Sequence, residues 1–232
     1  MFEKLFSSIG IGSSKVNTIL FDNIVERGKE VKGEVHIYGG KAEQTISEIY
    51  IHIDTEFNKD DMDMTEFRHI TEPILEIKIT DPIVIQPNEE RVIPFSFVLP
   101  YYAPITFNEQ RIHIQTELDI NFFTHPVEDH YFIVKDPILE ELFAFFNKHG
   151  FTHTNKSGLC RHKFPTDTNP THCMQAFHLI NNQGGKIYFV GNDSQIDIYV
   201  SDNDHISHLS IQRDEDLTKQ LQKLPNMIKN KA

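Results

Sequence analysis

Apolar and polar residues alternate along most of the first 135 positions. Val16, Thr18 and Leu20 fall on one side of a two-residue period, and Val31, Gly33, Val35 and Ile37 fall on one side of the next. Ile49, Ile51 and Ile53 follow, then Leu75, Ile77 and Ile79, then Ile93, Phe95, Phe97 and Leu99, then Ile112, Ile114, Thr116, Leu118 and Ile120. Such repetition predicts short antiparallel strands with one buried face and one wet face. Turn chemistry separates them at Arg27-Gly28, Gly39-Gly40, Gln86-Pro87-Asn88 and the stretch from Pro100 to Pro104. The spacing predicts a β-sandwich. Pro94 lies inside one run, where it cannot donate to a ladder, so that strand is expected at an edge or at a bulge.

The texture changes after Lys135-Asp136-Pro137. Ile138, Leu139, Leu142, Phe143, Phe145 and Phe146 take helical spacing, Glu140 and Glu141 stand near the start, and Gly150 supplies a stop. This predicts a connector helix of about a dozen residues. Strands resume around Met174–Ile180, Ile187–Val190, Ile196–Val200 and Ile206–Ile211. Asp214 to Met227 reads as one helix with Leu217, Leu221 and Leu224 on a stripe, its last turn limited by Pro225. The expected division is residues 1–136 and residues 137–232.

Composition narrows the function. The formal charge of −12 is spread along the chain, which argues against nucleic acid, since phosphate binding draws on Lys and Arg. No apolar run is long enough to span a bilayer, and the first residues lack the continuous apolar core of a signal peptide. A cytoplasmic protein is expected, with Cys160 and Cys173 as reduced thiols and the sequons at Asn155 and Asn192 without bearing.

Several segments, read together, resemble the bacterial sporulation-control protein M family. They are "LFSSIGIGSSKVNTIL", "RGKEVKGEVHIYGGKAEQTISEIYIHI", "VIPFSFVLPYYAPIT", and "IHIQTELDI" followed by "DHYFIV"; the second half contributes "ILEELFAFFNKHGF", "MQAFHLI" and "DIYVSDND". The resemblance implies a mainly β, arrestin-like protein of two β-sandwich domains, with the connector helix between them and a C-terminal helix. It further implies a non-enzymatic cytoplasmic regulator or adaptor associated with sporulation control, which works through protein–protein contacts.

Other chemistries are weighed on residues. The segment 153–178 carries His153, Cys160, His162, His172, Cys173 and His178, nitrogen and sulfur ligands of the kind zinc prefers. Cys160-x-His162 and His172-Cys173 are not the usual Cys-x-x-Cys or His-x-x-x-His clips, and adjacent residues of a strand, as in His172-Cys173, point to opposite faces. A zinc-stabilised binding module is therefore the alternative, and the leading expectation assigns no metal, no cofactor and no catalytic residue. Asp61 to Glu72 echoes a calcium loop but has Glu66 where the sharp turn needs glycine. Nucleophile-elbow and phosphate-loop motifs are absent from the sequence. Phe2, Leu5, Phe6 and Ile9 form a short apolar stripe beside Lys4, which gives a membrane-surface adaptor as a lesser alternative to docking on the protein itself. The partner is an unidentified protein, and a homodimer through an edge strand stays open. The outward row Lys32, Glu34, His36 and Tyr38 is read as the wet side of a sheet.

Overall fold

The computed structural model describes residues 7–8, 14–58, 69–120, 123–126, 130–202 and 205–229. By packing, the chain forms two units. The first holds Met1–Thr55, Pro73–Leu99 and Ile112–Ile133; the second holds Glu56–Glu72, Pro100–Arg111 and Val134–Ala232. A single break near residue 136 thus becomes a division in which two inner segments of the first half group with the C-terminal half.

The strands of the first half are β1 (Ser7–Ser8), β2 (Lys15–Leu20), β3 (Ile24–Glu26), β4 (Glu30–Tyr38), β5 (Gln44–Asn58), β6 (His69–Thr80), β7 (Ile83–Ile85), β8 (Glu90–Val98), β9 (Arg111–Ile120), β10 (Phe123–Pro126) and β11 (His130–Lys135). One sheet runs β1-β2-β4-β8; the other runs β3-β11-β9-β5-β6, with β10 on β9 and β7 on β5. Val16, Val35 and Ile37 from the first sheet and Ile49, Ile51, Ile53 and Ile114 from the second are fully buried, as the period of two requires. The buried hydroxyls of Thr18 and Thr116 hydrogen-bond from one sheet to the other, which satisfies two polar groups in an apolar layer. Gly33 is demanded by packing, since a Cβ there would collide with the Ile19 carbonyl oxygen and the Phe95 ring. Pro94 does lie on an edge strand, β8, and the β4–β8 register runs through it without a bulge.

The second half supplies α1 (Pro137–Lys148), β12 (Thr152–His153), β13 (Cys160–His162), β14 (Cys173–Ile180), β15 (Lys186–Gly191), β16 (Gln195–Asp202), β17 (His205–Gln212), α2 (Leu217–Leu221) and α3 (Leu224–Lys229). Its antiparallel sheet has the order β12-β14-β15-β16-β17, with β13 also on β14. Helix α1 begins at Asp136, whose Oδ1 accepts from the Ile138 and Leu139 amides at 3.0 and 3.4 Å, and ends before Gly150 at φ 81°. The helix is more than a connector. Phe143 and Phe146 lie on Phe177 and Phe189 of the sheet, with ring centroids 4.9 Å apart for Phe143–Phe177 and 5.9 Å for Phe146–Phe189. Asp136 is also held by Arg213, Nη1 to Oδ2 at 2.9 Å, in a pair whose side chains are 2% and 5% exposed.

The single C-terminal helix expected from Leu217, Leu221 and Leu224 is in fact two, α2 and α3. Pro225 falls in the first turn of α3, where its missing N–H has no helical partner to lose, so it starts a helix instead of limiting one. The Gln220 side chain of α2 accepts from the Gln212 amide at 2.8 Å and donates to the Gln212 carbonyl at 2.9 Å, closing the end of β17.

Candidate binding groove on the second unit

Alternation in β14 to β17 sends Phe177, Phe189 and Ile198 under α1 and leaves the intervening residues on the opposite face. The register lines these up in rows across the strands. His178, Tyr188, Tyr199 and His208 are successive cross-strand partners, with ring centroids 4.8, 6.1 and 4.6 Å apart. The next row on the same face is Ile180, Lys186, Ser201 and Ile206. Together with Thr154–Lys156 and Arg161, the second row and the His178, Tyr188 and Tyr199 part of the first line a groove of about 670 Å³, a size suited to a ligand or to a few side chains of a partner. Two of its apolar residues are open to water, Ile180 at 45% and Ile206 at 72%.

The groove's lining carries cations and neither Asp nor Glu. Among the described residues, Lys156, Arg161 and Lys186 form no ion pair, although acids outnumber bases 34 to 22. On the first unit several outward cations instead have acidic neighbours. There Lys32 lies 3.0 Å from Glu30, Lys78 lies 3.0 Å from Glu48, Arg91 pairs with Glu89, and His52 is within 3.0 Å of Glu117 and 3.5 Å of Glu76. His36 sits 2.9 Å from Glu34, and Tyr38 donates to Glu90 at 2.8 Å. The outward row of β4 is therefore largely paired within itself, with His36 Nδ1 the buried atom left without a hydrogen bond. In the groove, burial lowers the His178 imidazole below its ordinary value, and Arg161 and Lys156 push the same way. Its Nε2 is buried and makes no hydrogen bond.

The Cys/His segment is taken apart by the fold. Antiparallel pairing of β13 with β14 sets the Cα atoms of Cys160 and Cys173 5.2 Å apart, inside the disulfide range, and the two sulfurs are bonded to each other. The expectation of two reduced thiols is corrected by that register, which no local spacing reveals. Phe57 and Ile70 pack on the bridge. His172 is held by Glu72, whose Oε1 accepts from its amide at 2.6 Å and lies 3.1 Å from its Nδ1, and its ring stacks on His162 at 5.0 Å. His153 sits between Phe107 and Phe143, 4.8 and 4.7 Å away, with Nδ1 2.7 Å from the Ser157 hydroxyl; burial lowers its pKa. His178 alone of the six reaches the groove. Among the described residues no three His, Cys, Asp or Glu side chains come together as a cation site.

Residues 1–6 and 9–13, with the N-terminal apolar stripe, and residues 59–68, with most of the calcium-like stretch, lie outside the described residues. Among the described residues no helix is long and apolar enough to cross a membrane.

Asp197, His208 and Ser210 also meet, but around one oxygen. Ser210 donates to Asp197 Oδ1 at 2.6 Å, and His208 Nε2 is 3.0 Å from the same atom. In a nucleophilic triad the histidine stands between hydroxyl and carboxylate, whereas here the hydroxyl proton is committed to the acid. Burial alone would raise the Asp197 carboxyl, yet hydrogen bonds from Ser210, Gln195 and His208 outweigh it and hold the group below its usual range.

The ladder and its rim were not apparent from sequence, because a row across four strands depends on three registers. The usable signal was Tyr188 and Tyr199 at outward positions beside exposed Ile206.

Comparison with known proteins agrees with this architecture. The SpoOM protein family is matched over residues 2–206. The sporulation-control protein spo0M of Bacillus subtilis (strain 168) is 35% identical over 153 residues, which is 65% of this chain and 58% of that protein. The chain thus aligns with less than two thirds of its relative's length. The crystal structure of Spo0M, sporulation control protein, from Bacillus subtilis superposes with a TM-score of 0.76 at 24% identity, covering 94% of this chain and 98% of that one, a likeness of fold. With the family model matched over residues 2–206, most of its length, the chain belongs to the SpoOM protein family.

Proposed function

We propose that this protein is a non-enzymatic regulator in sporulation control, which works by binding another protein through the groove on the second unit. The supporting observation is the conjunction of exposed Ile180 and Ile206 with three cations left without acidic partners among the described residues. Exposed apolar surface rimmed by charge marks contact sites on soluble proteins. In-cell crosslinking with a lysine-reactive reagent, read by mass spectrometry, tests it. Lys156 and Lys186 are expected to link to a small set of proteins, and the Lys156 links should disappear when Arg161 and Lys186 are both changed to Glu. Recovery of no linked protein from any face of the molecule would refute the regulator reading.

A further inference from the structure

We infer that the groove receives an extended acidic segment of the partner, with carboxylates interleaved with aliphatic or aromatic side chains. This rests on the protein-contact reading above and names the chemistry of the occupant.

Charge complementarity sets the sign. In a chain of net charge −12, the groove's lining holds Lys156, Arg161 and Lys186 and neither Asp nor Glu, and these three form no ion pair among the described residues. A cluster of one sign beside an apolar wall focuses its field on an incoming anion. The depressed His178 imidazole agrees, since Arg161 and Lys156 both bear on it.

Shape sets the class. The lining runs from His178 and Ile180 on β14 to Ile206 on β17, across three strand spacings, about 14 Å, which an extended peptide covers in four or five residues. Cations on separate elements, the loop after β12, β13 and the start of β15, match several spaced carboxylates better than one headgroup. Ile180 and Ile206 in the adjoining row offer contacts for the apolar side chains between them. A polyphosphate backbone fits less well, because it would leave the exposed Ile180 and Ile206 side chains uncovered, whereas the side chains of a peptide can pack on them.

The test is a randomised display library of peptides about nine residues long, panned on the full chain, with enriched peptides then titrated by fluorescence anisotropy. Asp and Glu should be enriched next to Leu, Ile, Val or Phe. Affinity should fall at least about tenfold in the double variant R161E/K186E and several-fold in Ile206→Ser, with unchanged melting temperature, and should weaken with added salt. Failure to enrich, a neutral or basic consensus, or equal binding by R161E/K186E would overturn the inference. So would binding of oligothymidylate or of phosphatidylglycerol vesicles in place of the peptides. Crosslinked partners mapped elsewhere on the surface would leave the regulator reading standing while removing this occupant.

Discussion

The two faces of the β14–β17 sheet are written by alternate residues of the same strands, and they have opposite fates. Phe177 and Phe189 on one face meet edge-on or stacked partners from α1 and Phe107 and are excluded from water. His178, Tyr188, Tyr199 and His208 on the other face stack only on each other and stay partly wet. Both faces are aromatic. The difference is the polar atoms of the outer rings, which let the tyrosines and His208 remain at water until a partner arrives, whereas a phenyl ring gains from full burial. An aromatic strand therefore announces a core only when its rings lack polar handles.

The sharpest way to break the contrast is to release the helix that covers the inner face. Asp136→Ala removes both the α1 cap and the partner of buried Arg213, and is expected to cost about 3–5 kcal/mol in urea unfolding. Phe189→Ala should cost about 3–4 kcal/mol as a cavity in the inner face, whereas Tyr199→Ala on the outer face should cost about 1 kcal/mol or less; equal losses would erase the distinction. Reducing the Cys160–Cys173 bridge opens a closed segment of separation 13 and should lower stability by about 2–3 kcal/mol, read as the shift in unfolding midpoint with dithiothreitol. The smallest effect is acidic. His153 and His178 titrate below the ordinary value of 6.5 when folded, so the unfolded chain takes up protons first and stability falls as pH drops below 6.5. His178→Gln should make that decline shallower in melting curves between pH 7 and pH 5, and an unaltered slope would assign the effect elsewhere.

Much of this was legible. Val31 to Ile37, Ile49 to Ile53 and Ile112 to Ile120 show their buried side by period alone, and Asp136-Pro137 with Gly150 brackets α1 through capping chemistry. Pro94 marks the edge of its sheet through the donor it lacks. What escaped depends on residues distant in sequence. A one-residue slip in any of three pairings would turn Tyr188, Tyr199 or His208 to the other face, so the ladder needs the register and not the pattern. The same holds for Cys160 and Cys173, and for the grouping of Pro100–Arg111 with the second unit, where Gln175 exchanges hydrogen bonds of 2.8 and 2.9 Å with Ile105. The split between α2 and α3 turned on whether Pro225 stands early or late in a helix, which stripe periodicity leaves undecided.

The amide of Gln220 does for Gln212 what another strand would do, donating and accepting in one plane. Since β17 pairs only with β16 among the described residues, this side chain is a stopper on an otherwise extendable edge. Trimming the chain ahead of Leu217 would pull the stopper out. Such a fragment would keep its groove and acquire a second, unregulated way to meet its own kind, so a shortened form should be judged by its tendency to form fibres before its ligand binding is trusted.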